Sequence, residues 1–85
     1  DIIRRTIVLS DERIQDYAFI QKDDRTIHLY VKSDFEESFL IAKTDLINRF
    51  KDYNITDFHI INIDNYQHNV GDKKRRVKNE YTKKN

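Results

Sequence analysis

The stretch Gln15-Asp16-Tyr17-Ala18-Phe19-Ile20-Gln21-Lys22-Asp23-Asp24-Arg25-Thr26-Ile27-His28-Leu29-Tyr30-Val31-Lys32, with Ser33-Asp34-Phe35-Glu36 behind it, decides the fold. Ile27, Leu29 and Val31 alternate with His28 and Tyr30, the period-two pattern of a strand with one buried and one wetter face. Tyr17 and Phe19 alternate with Ala18 and Ile20, so both faces of the first segment are expected to be partly covered. Two strands, Gln15 to Gln21 and Thr26 to Lys32, are therefore predicted as an antiparallel hairpin. Its connection, Lys22-Asp23-Asp24-Arg25, contains no glycine, which favours a type I turn over the primed turns.

Directly downstream, Ser33-Asp34-Phe35-Glu36 has the form of a capping box, with Ser33 accepting from the Glu36 amide and the Glu36 side chain returning to Ser33. A helix is expected from here to about Tyr53. Phe35, Phe39, Ile47 and Phe50, flanked by Leu40 and Leu46, form its apolar face, and Glu37, Lys43, Asn48, Arg49 and Lys51 stay outside. Thr56 to Asp64 reads as a further strand, with Phe58 and Ile60 on one face and Ile61 and Ile63 on the other. Upstream, Asp1 to Leu9 reads as an entry segment and a strand from its β-branched content, closed by a turn at Ser10-Asp11-Glu12. The order strand, β-hairpin, helix, strand predicts an α+β domain. One long amphipathic helix would cover a three- to four-stranded sheet, and residues 71–85 would form a basic loop and tail.

At 85 residues the chain has room for one domain, and 38% hydrophobic against 36% charged content keeps its core small. Cysteine is absent, which excludes disulfides, thiolate metal sites and thiol nucleophiles together. His28, His59 and His68 show no metal-ligand spacing. No apolar run reaches the roughly 20 residues of a membrane span, and no signal segment opens the chain, so a cytoplasmic domain is expected. Because the first residue is Asp1 and not Met, a larger parent polypeptide is expected. Charge is unevenly spread: residues 71–85 hold seven cations and two acids, whereas the rest holds nine cations and thirteen acids. An anionic partner would therefore meet the C-terminal segment.

That segment follows Asn65-Tyr66-Gln67-His68-Asn69-Val70, where the one glycine of the chain, Gly71, precedes Asp72 and the run Lys73-Lys74-Arg75-Arg76. Glycine lets a backbone turn freely, so a loop presenting a lysine to a phosphate is one reading, and a solvated basic tail is the other. A nucleic-acid module ranks behind both, since only Tyr66 and Tyr81 flank the run as stacking platforms. A protein-interaction domain with an exposed sheet face is a further alternative. His68 is the histidine considered for ligand contact, with a plain surface loop residue as the favoured reading, while the pairs Asp23-Asp24 and Glu36-Glu37 are explained by a turn and a helix start.

A strand ending in an acid, a loop with a single glycine, then Lys-x-x-Arg and an apolar residue resembles the end of the adenylate-forming enzymes. Within that superfamily of acyl-CoA synthetases, the phenylacetate:CoA ligase and capsule-biosynthesis branch is most similar. The family motif is Ser/Thr-Gly-Lys with arginine three residues after the lysine. Lys73 has Arg76 at that distance and Val77 next, though Asp72 stands where the family has glycine, which leaves Lys74 as the alternative. Asp-Ile-Ile at Asp1 resembles the hinge between the large domain and the C-terminal lid. The resemblance implies that the whole chain is the lid and that Lys73 is catalytic, with Gly71, Arg76 and His68 near the phosphate. It further implies a large N-terminal adenylation domain on the same polypeptide as partner. That domain would bind ATP/AMP, Mg and a small carboxylic acid, with coenzyme A or a carrier thiol as acceptor, and the isolated lid would be inactive.

Overall fold

The computed structural model describes residues 2–66 and 77–80. It is an α+β domain whose elements are helix α1 (Ile2–Ser10), strands β1 (Asp16–Gln21) and β2 (Thr26–Lys32), helix α2 (Glu37–Lys51), and strands β3 (His59–Asn62) and β4 (Val77–Asn79). The sheet is mixed, in the order β3-β2-β1-β4. β1 and β2 are antiparallel, β3 runs parallel to β2, and β4 runs parallel to β1.

The hairpin forms where the alternation places it, with Phe19 opposite Leu29 and Tyr17 opposite Val31. Lys22 N–H donates to the Thr26 carbonyl at 2.9 Å, and Arg25 N–H to the Asp23 carboxylate at 2.8 Å. Asn54 is the one non-glycine residue with positive φ among those described, so the hairpin turn is not of a primed type. Ala18 and Ile20 are buried as deeply as Tyr17 and Phe19, so β1 is covered on both faces.

The long helix is present but enters differently from the expected capping box. Ser33 Oγ accepts from the Phe35 amide at 3.1 Å and lies 2.8 Å from Ser38 Oγ, while Glu36 is already helical with no side-chain cap. The hydroxyl is engaged by the Phe35 amide and by Ser38 in the first turn of α2, which removes it from the Glu36 amide. The apolar face is also turned from the expected one: Ser38, Ala42, Leu46 and Phe50 are buried at four-residue steps, Phe39 and Ile47 are half-buried, and Leu40 is exposed. At its other end Ile55 N–H donates to Phe50 O at 2.9 Å and Asn54 N–H to Lys51 O at 3.0 Å, with Asn54 at φ 61°. This is the bonding of a Schellman termination, and asparagine tolerates the left-handed position in place of glycine.

Two elements depart from the sequence reading. The segment expected as a first strand is helix α1, in which Ile3 and Ile7 lie one turn apart and Ile7 is fully buried against β1, β2 and α2. The β-branched composition is overridden by a tertiary contact that needs only one apolar stripe, and Val8 and Leu9 remain exposed. Val77–Asn79, which falls inside the polar basic segment, is β4, bound to Phe19, Ile20 and Gln21 of β1.

One core holds the parts together. Phe50 makes edge contacts with Phe19 at 6.1 Å and Phe58 at 5.3 Å between ring centroids, joining α2, β1 and the entry to β3. Leu46 is fully buried in the same cluster as Leu29 and Ile7. Leu46→Ala is therefore expected to lower unfolding free energy by about 3 kcal/mol, read from urea denaturation, while Leu40→Ala changes it by less than about 0.5 kcal/mol.

Candidate functional site

The residues singled out for phosphate chemistry, His68, Gly71, Lys73, Lys74 and Arg76, and the expected hinge residue Asp1, lie outside the described residues. The two ends of the basic run are described. On its N-terminal side the chain leaves β3 with Ile63 N–H donating to Leu29 O at 3.0 Å and reaches Tyr66. On its C-terminal side β4 begins at Val77, and Glu80 N–H continues the pairing onto Gln21 O at 2.9 Å. The Glu80 carboxylate accepts from Lys22 Nζ at 3.0 and 3.2 Å, a further tie to the hairpin.

Lys78 pairs with Ile20 and so stands on the sheet face opposite the helices, and its Nζ lies 5.2 Å from the centre of the Tyr66 ring. The Tyr66 ring thus lies within reach of a β4 side chain. Such a cation-aromatic contact is worth about 0.5–1 kcal/mol where water has access. The cationic run is therefore bracketed by strands on both sides, and residues 77–79 are not part of a free tail. That position, between two sheet-bound anchors, could not be seen in the sequence because β4 is short and polar.

Of the other histidines, His28 is half-buried on β2 and His59 is exposed at the start of β3. Among the described residues no three His, Asp or Glu side chains come together as a metal site.

A second polar constellation escaped the sequence reading. Asp11, just after α1, is buried. Its Oδ1 accepts from Arg13 N–H at 3.0 Å and Arg13 Nε at 2.9 Å, and its Oδ2 accepts from Arg13 Nη2 at 2.9 Å and Ser38 Oγ at 2.8 Å. Arg13 in turn covers the Phe35 ring at 4.3 Å and reaches Glu37 at 3.3 Å. The Arg13 side chain, its backbone amide and the Ser38 hydroxyl, in that order, hold the Asp11 carboxyl far below the usual carboxylate range. Ser38 is fully buried, so the group clamps the turn after α1 to the start of α2. The Asp-x-Arg spacing is a local signal for it, but Ser38 lies 27 residues away and is brought in by packing alone.

Comparison with protein-family models, curated proteins and solved structures returns no match to this chain.

The clamp generates a pH dependence. Because the folded carboxyl has a lowered pKa, its contribution is complete above the unfolded value of about 3.9 and is lost as pH falls towards the folded one. Asp23, lowered mainly by the Arg25 amide, acts in the same direction. Asp11→Asn is expected to be less stable near neutrality and to lose less stability than the unaltered chain between about pH 7 and pH 3, measured by urea unfolding at each pH. Equal losses in the two proteins would remove Asp11 from the acid response.

Proposed function

We propose that this domain is the C-terminal lid of an adenylate-forming ligase, which activates a small carboxylic acid as its acyl-adenylate and passes it to a thiol. The observation that carries the reading is the position of the Lys-x-x-Arg run at residues 73–76, directly before a strand that is zipped into the sheet. A loop lysine acts on a phosphate only if the loop's ends are held, since each ångström of misplacement weakens the contact. Here both flanks, Tyr66 and Val77, are fixed to one small domain. The α+β architecture and the acidic body with a basic run agree with such a lid.

In this reading the task of Lys73 is electrostatic. A compact ammonium on a flexible stem neutralises charge between an attacking carboxylate and the α-phosphate as the new bond forms. Arginine is a poor substitute, because its planar fork does not act as a point charge. Gly71 gives the backbone room, and Arg76 adds a second cation on the same segment. In this reading the nucleotide, Mg and acid pockets belong to the large domain.

In the full polypeptide Lys73→Ala is expected to lower ATP–pyrophosphate exchange by about a hundredfold or more, with thiol transfer from supplied acyl-adenylate largely retained. Lys74→Ala separates the two candidates, since only the active lysine shows this split. Normal exchange in both variants would overturn the proposal.

A further inference from the structure

Among the described residues the sheet has an open edge at β3. His59 N–H donates to Arg25 O at 2.6 Å and Ile63 N–H to Leu29 O at 3.0 Å, so alternate residues of this segment turn their backbone towards β2. Ile60 and Asn62, between them, turn N–H and C=O outward. Beside this edge lies a groove of about 290 Å³, lined by Lys43, Ile47 and Lys51 of α2 and by Ile55, Phe58 and Ile60. Thr56 and His59 also line it, and its helix wall carries a cation at each end.

The spacing of that wall is what commits the groove to one kind of occupant. Lys43, Ile47 and Lys51 are four residues apart, so they rise by ~6 Å per step along α2. An extended chain repeats side chains on one face every ~6.6 Å. The repeat of three successive inward side chains on a strand added to β3 therefore matches that of lysine, isoleucine and lysine along the helix. The nearby acids are already engaged, Asp57 by Arg25 at 3.4 Å and Asp52 by Arg49 at 3.9 Å, and neither lysine has an acidic partner among the described residues.

We propose that the β3 edge and this groove bind an extended peptide segment of the pattern acidic-x-apolar-x-acidic by strand addition. Backbone bonds to Ile60 and Asn62 supply affinity, the apolar side chain seats over Ile47 and Phe58, and the two carboxylates face Lys43 and Lys51. The chain itself offers no free occupant: its one stretch of this pattern, Glu12-Arg13-Ile14-Gln15-Asp16, is folded in place, with Ile14 packed on the core and Gln15 N–H donating to Lys32 O at 2.7 Å. Residues 67–76 and 81–85 hold six cations and one acid, and β3 with its flanks, Asp57 to Asp64, lacks acids at the required spacing. A partner polypeptide is therefore the fitting ligand.

The test titrates the full chain with fluorescein-labelled Glu-Thr-Ile-Thr-Glu and with its charge-reversed form Lys-Thr-Ile-Thr-Lys, followed by anisotropy and by amide NMR shifts. The acidic peptide is expected to bind about tenfold or more tighter than the reversed one, with the largest shifts at Ile60 and Asn62. The double variant Lys43→Glu/Lys51→Glu, both surface positions that leave folding intact by circular dichroism, should invert that preference. Asn62→Pro removes an outward N–H at an edge that tolerates proline and should weaken binding about fivefold. Equal affinity for the two peptides, binding unaffected by the lysine double variant, or shifts centred on another surface would each overturn the proposal. So would sedimentation showing a dimer that Asn62→Pro dissolves and that excludes the peptide, which would assign the edge to a second copy.

Discussion

The seating of Phe50 between Phe19 and Phe58 is the contact on which the remaining architecture depends. It places the C-terminal half of α2 over the centre of the hairpin and brings the chain out of the helix alongside β2. β3 can then pair only parallel to β2, since the Schellman termination at Asn54 turns the chain back towards the sheet within a few residues. In a domain this small each aromatic edge contact is a large share of the net stability. The Asp11, Arg13 and Ser38 cluster does the same work at the other end of α2, where small Ser38 lets the turn after α1 come close.

Two consequences for function follow from this frame. The first is that the described flanks of the cationic run, Tyr66 and Val77, are both held against the sheet. A chain that ended in a free basic tail would hold a lysine nowhere in particular, whereas one anchored at both flanks supplies a defined reach. The second is that, among the described residues, nothing pairs with β3 along its outer side, next to lysines of α2 that meet no acid. Edge strands are usually blunted by brevity or charge, and β3 is only four residues long. Its brevity limits pairing between copies while leaving room for a short peptide.

The errors of the sequence reading have a common physical origin. Asp1 to Leu9 is rich in isoleucine, valine and threonine, which argues for a strand when propensity is weighed alone. What decides it is Ile3 and Ile7 docking on a surface built from residues far along the chain, so a helix wins. Ser33 fits a capping box by spacing, but a hydroxyl bonds the best acceptor or donor in reach, and Ser38 is that partner only after α2 has packed. β4 has one apolar residue in three, and its strand conformation comes from the exposed edge of β1.

Read alone, the amino-acid order settled the class of fold, the hairpin with its unprimed turn, the long helix and the strand around Ile60, because each carries its own periodicity. It also located the basic run and its Lys-x-x-Arg spacing. Only the folded chain decided that α1 is helical, that Asp11 is clamped by Arg13 and Ser38, that β4 pins the far side of the basic run, and that Lys43 and Lys51 border an open edge. Those features rest on partners tens of residues apart, and the energy of such a pairing exists only once packing has removed water and brought them together.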